Sequence, residues 1–148
     1  MAFLTIDEKE FHGKINFSAS DRADEKYGTK DTDGLTAIYL GLLQGENKSI
    51  RSFWDCALLH NDNKPSIKKI EKALEDRIEE DGTEPLFKQA FSALDKSGFF
   101  SERAKMIADN MMKEPKVIDK ETDEQKKERL DQEEMTAYMK QRYEKLTE

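Results

Sequence analysis

A chain of 148 residues has the length of one ordinary domain, or of a smaller domain with an appendage. Apolar residues make up 36% of it and charged residues 39%, enough for one modest core and not for two. The net charge of -7 comes from interspersed acidic and basic residues, which leaves no basic patch for nucleic acid, and no acidic run is long enough for a nucleic-acid mimic.

The first eighteen residues read as a hairpin. Residues 3–6 and 11–17 are rich in aromatic and β-branched side chains, and Asp7-Glu8-Lys9-Glu10 reads as the turn between them. Phe11, Ile15 and Phe17 share one parity and would face one side of a strand. A lone hairpin is marginal in water, so its apolar face must rest on helices.

From there the apolar spacing becomes helical. Ser18 or Ser20 can cap a short helix with Ala19, Ala23 and Tyr27 on one face, stopped by Gly28. Asp33 caps a helix over 34–43 whose stripe is Leu35, Ile38, Tyr39, Leu42 and Leu43. Ser49 opens a helix to residue 60 bearing Ile50, Phe53, Trp54, Ala57 and Leu58, with Trp54 expected in the core. Asn61-Asp62-Asn63-Lys64-Pro65 is a loop. Ser66 caps a helix with Ile67, Ile70, Leu74 and Ile78 inside, broken at Gly82. Pro85 fits a first helical turn, followed by Leu86, Phe87, Ala90, Phe91 and Leu94. Gly98 closes that helix. Ser101 then caps another with Met106, Ile107, Asn110 and Met111 on its stripe; Met106 and Met111 are assigned to the core, while Met112 fits core or surface.

Residues 113–148 differ in character, since more than half of them are charged. Residues 113–116 read as a linker, and Thr122-Asp123-Glu124-Gln125 has capping-box spacing. A helix from about 123 to 146 would carry Met135, Met139, Arg142 or Tyr143, and Leu146 on a stripe too thin to hold it against a core. The expected fold is mainly α: an N-terminal hairpin on a compact bundle of about six short helices over 1–112, then a charged C-terminal helix or disordered tail over 113–148.

No chemistry emerges from the side chains. Cys56 and His60 are four residues apart on one helix, but no third group orients them, and Cys56 beside Ala57 and Leu58 reads as a small core residue. A single cysteine excludes an internal disulfide and suits a reducing cytoplasm. Asp31-Thr32-Asp33-Gly34 begins like a calcium loop, yet Leu42 stands where its last glutamate belongs. There is no phosphate loop or dinucleotide fingerprint, no apolar run of membrane-spanning length, and no export signal at the N-terminus. The expectation is a protein with no catalytic, cofactor or metal site. Function must then lie in surface. Phe99 and Phe100 cannot both enter one small core easily, so one would staple a helix end and the other meet a partner. With Met111 and Met112 they form the expected partner-binding set.

The order of these pieces carries a resemblance. A hairpin leads through Phe17-Ser18-Ala19-Ser20 to Asp24-Glu25-Lys26-Tyr27-Gly28, then Gly34-Leu35, a helix with Ala57, and Lys64-Pro65-Ser66. Ile70-Glu71-Lys72-Ala73-Leu74-Glu75, Glu84-Pro85-Leu86-Phe87 and Leu94-Asp95-Lys96-Ser97-Gly98-Phe99-Phe100 follow. Over about residues 3–112 this set resembles the tail assembly chaperones of long-tailed phages and prophages of Gram-positive bacteria. The resemblance implies a non-enzymatic protein that coats the tape measure protein in the host cytoplasm and is absent from the mature virion. It further implies recruitment of the major tail tube protein through a longer frameshift form, and self-association along the tape measure. The competing reading is a small phage or mobile-element regulator that binds a host protein.

Overall fold

A computed structural model describes residues 2–113 and 120–148. Among them are two strands, β1 (Phe3–Ile6) and β2 (Lys9–His12), and seven helices. The helices are α1 (Phe17–Lys26), α2 (Gly34–Leu43), α3 (Asn47–Ala57), α4 (Ile67–Asp81), α5 (Glu84–Asp95), α6 (Ser101–Met111) and α7 (Asp123–Thr147).

The strands pair antiparallel, Ile6 opposite Lys9 and Phe3 opposite His12. The turn is therefore Asp7-Glu8 alone, and Lys9 and Glu10 belong to β2. Both turn residues have positive φ, 51° and 67°, as a two-residue turn of type I′ requires. Leu4 and Ile6 are buried, and β1 rests on α4. The second strand is shorter than the sequence suggests. After His12 the chain crosses the end of α3, where the Gly13 amide donates to the Ala2 carbonyl and the Lys14 amide to that of Ala57. Asn16 then caps α1, its side chain accepting from the Ala19 amide at 3.0 Å. Asparagine caps as well as serine, and the earlier start turns Phe17 from a strand residue into the first residue of a helix.

α2 is the centre of the bundle. Asp33 caps it as expected, and its five stripe residues are all buried. Its two glycines are where neighbours come closest. A Cβ on Gly34 would run into the Ala23 carbonyl of α1, and one on Gly41 into the Ser49 hydroxyl of α3. Ser49 is buried in this contact, and α3 begins two residues before it, at Asn47, without a side-chain cap. Ser49 is thus a small residue at a crossing, and its expected capping role is corrected. Ser66 caps α4 as expected, and Pro85 occupies the first turn of α5.

α6 starts at Ser101 rather than being capped by it, and it is rotated from the expected stripe. Ala104 and Ala108 face the core, Ile107 and Met111 lie half-buried at its edge, and Met106 is 65% exposed. The core assignment of Met106 is therefore corrected. Two alanines one turn apart let α6 approach closely, and this close approach selects the face.

The C-terminal segment is a helix, opened by the Thr122–Gln125 capping box. Beyond Lys113, the linker expected at 113–116 lies outside the described residues. The expectation that α7 cannot hold against the core is also corrected. Met139 and Leu146 join the core cluster, and the Tyr143 ring meets that of Phe91 edge-on at 5.8 Å. Arg142 reaches both carboxylate oxygens of Glu84 at 3.3 Å, donates to the Leu43 carbonyl, and lies over the Phe87 ring. These partners are distant in sequence, so the helical stripe alone gave no sign of them.

Candidate partner-docking surface

The Cys56 thiol is buried, and that burial pushes it up to about 12, far from a nucleophile's range. α3 ends at Ala57 rather than at residue 60, so His60 lies in the turn beyond it, with Nδ1 3.3 Å from the Ala57 carbonyl. Among the described residues no group of three or more His, Cys, Asp or Glu is placed to hold a metal. Asp33 is already engaged, capping α2 and holding Arg103 of α6 at 2.6 Å.

One charged cluster escaped the sequence reading. Asp55 is wholly buried in α3. Tyr27 donates to its carboxylate at 2.7 Å and Lys64 at 2.7 Å, and Arg22 grips both oxygens at 3.3 and 3.4 Å. Burial alone would push this carboxyl up. The hydrogen bonds from Lys64, Tyr27 and Arg22 overcome it and hold the group at about 2. The arrangement ties α1 and the loop before α4 to α3. Its donors fill the lone pairs of both oxygens, so it works as an anchor. The only hint in the sequence was an aspartate set between Trp54 and Cys56 on an apolar helix.

The exposed apolar surface lies elsewhere. Phe17, at the start of α1, is 77% exposed, and Phe99, in the turn between α5 and α6, is 41% exposed. Their rings meet edge-to-face at 5.1 Å. Phe99 also borders an open groove of about 510 Å³ along α6, lined by Glu102, Met106, Ile107 and Asn110. Phe99 and Met106 thus stand exposed on one concavity, and Phe17 extends this apolar surface through its contact with Phe99.

The four residues expected to bind a partner divide. Phe99 is on this surface. Phe100 turns inward, 3% exposed, with its ring 5.7 Å from that of Tyr39. Met111 packs half-buried against the core, and Met112 is half-buried at the C-cap of α6. Phe17 and Met106 complete the surface and were not foreseen. The cap at Asn16 was the signal for Phe17; for Met106 the rotation of α6 left none.

A family model described as phage tail assembly chaperone protein, TAC, matches residues 3–109. The chain belongs to the phage tail assembly chaperone family. The matched span carries the chain from β1 into α6, and so includes Phe17, Phe99 and Met106 but not Met112 or α7. No curated protein matches the chain. No solved structure does either. Among the described residues of this chaperone, no helix is long and apolar enough to cross a membrane.

Proposed function

We propose that this tail assembly chaperone binds the tape measure protein and keeps it soluble in the host cytoplasm until the tail tube encloses it, and that it is absent from the finished virion. Several copies cover one tape measure and associate along it. A longer frameshift form recruits the major tail tube protein. The supporting observation is the exposed Phe17–Phe99 pair with Met106 over the α6 groove, inside the family-matched span. Apolar side chains grouped around a concavity suit an apolar face of a long helix. A tape measure of that kind aggregates when bare, and an acidic cover keeps the complex dispersed. Release requires each contact to be modest, so the grip comes from multiplicity. The test is co-expression with the tape measure protein, which should be soluble only when this chain is present. A tape measure that stays insoluble beside it overturns the reading.

A further inference from the structure

α7 is seated unlike the other helices. No residue from 123 to 135 is buried, so its first three turns stand off the core. Its second half holds it through a short row, Met139, Arg142, Tyr143 and Leu146 at steps of three, four and seven, with Thr136 buried just before the row and ion pairs of Lys145 with Glu84 and of Glu148 with Lys88 at the end. The surface beneath belongs to α2 and α5, and offers Leu43, Glu84, Phe87 and Phe91. The fit is imperfect. Arg142 Nη2 is buried without a hydrogen-bond partner among the described residues. So is the hydroxyl of Tyr39, a residue of α2 whose ring stacks on Phe91. Trp54 Nε1 and Gln89 Oε1 are likewise buried without a partner among the described residues, so what marks α7 out is the short buried row that seats it. The residues matched by the family model include the whole α2–α5 surface and stop short of α7.

We propose that the α2–α5 surface is a helix-docking groove, and that α7 occupies it as a displaceable strap until a partner helix takes its place. The partner is defined by the occupant: an amphipathic helix with large apolar side chains at one position and at four and seven residues beyond it, and an arginine at the third to meet Glu84. The groove is separate from the Phe17–Phe99 surface, and this inference does not depend on which tail protein uses that surface.

The probe is a labelled synthetic peptide of residues 122–148, offered to the full chain. In the unaltered chain the resident α7 competes with it. A Met139→Asp, Leu146→Asp chain, whose own α7 is unseated, should melt cooperatively and bind the peptide at least about 10-fold more tightly, because the competent state is no longer a minor one. Adding Glu84→Lys to that chain should weaken the binding again. Hydrogen exchange on the unaltered chain gives an independent reading: amides of α7 should exchange about 100-fold faster than those of α3, through local opening. Loss of cooperative melting in the double variant overturns the proposal, as does failure to bind the peptide. Exchange of α7 in step with α3 does so too.

Discussion

At the residue scale, the buried Asp55 carries a sharp energetic consequence. Its carboxyl sits at about 2 in the fold, against an ordinary value of 3.8. A lowered value means the charged form is favoured by folding. The stabilisation is therefore complete above the ordinary value and is lost as pH falls towards 2. It is on the order of 2 kcal/mol, at 1.36 kcal/mol for each unit. Denaturant melts from pH 5 to pH 2 should show this decline in the unaltered chain and a smaller one in Asp55→Asn. Asp55→Ala removes the shared acceptor of Arg22, Tyr27 and Lys64, and should cost about 3–5 kcal/mol. Trp54 is fully buried, with its ring 5.3 Å from that of Phe53. Trp54→Ala should lower stability by about 3–5 kcal/mol, measured by the same melts.

At the scale of elements, glycine and turn chemistry set how the pieces meet. Gly34 lets the start of α2 lie on the Ala23 carbonyl, with its own amide donating to Asp24 at 2.8 Å. A methyl there meets backbone, which cannot move aside as a side chain can. Gly34→Ala should therefore destabilise by about 1–3 kcal/mol or more. Gly98, where an added Cβ meets nothing within 4 Å, should accept alanine with little change, within about 0.5 kcal/mol. The hairpin offers the opposite sign. Glu8 holds φ at 67°, which disfavours a residue with a Cβ. Glu8→Gly creates the Asp-Gly pair that this turn prefers and should raise stability by about 1 kcal/mol. Thermal melts of the three single variants check the order: Gly34→Ala lowest, Gly98→Ala near the parent, Glu8→Gly above it.

At the scale of the whole molecule, stability and recognition are expected to separate. Phe17 and Phe99 touch each other at the surface and add little to the core. Changing both to serine should shift the melting midpoint by no more than a few degrees, about 1 kcal/mol. The same double change should abolish solubilisation of a co-expressed tape measure. Multiplicity predicts weak binding to a short tape measure fragment and much tighter binding to a long one; equal affinity for both would sink that part of the proposal. Residues 1–112 are proposed to fold as a unit. A chain ending at Met112 should melt cooperatively but at a lower temperature, because it exposes the Phe87 and Phe91 side of α5 that α7 covers.

The sequence by itself determined the element order, the caps of α2, α4 and α7, and the stripes of α2, α4 and α5. Those signals are local: Asp33, Ser66 and Thr122 each cap through a bond three residues away, and an apolar row of period 3.6 is one face of one helix. The ordered set of such boundaries was also enough for the family resemblance. Only the tertiary structure decided which face of α6 turned inward, since Ala104 and Ala108 could pack closely there while Met106 could not. It alone placed Phe17 beside Phe99 and gathered Arg22, Tyr27 and Lys64 around Asp55, contacts that span many residues. It alone seated α7, because a thin stripe suffices once Glu84, the Leu43 carbonyl and the Phe87 ring converge on one arginine. Periodicity reports what a helix can bury. What it does bury depends on the shape and charge of the surface it meets.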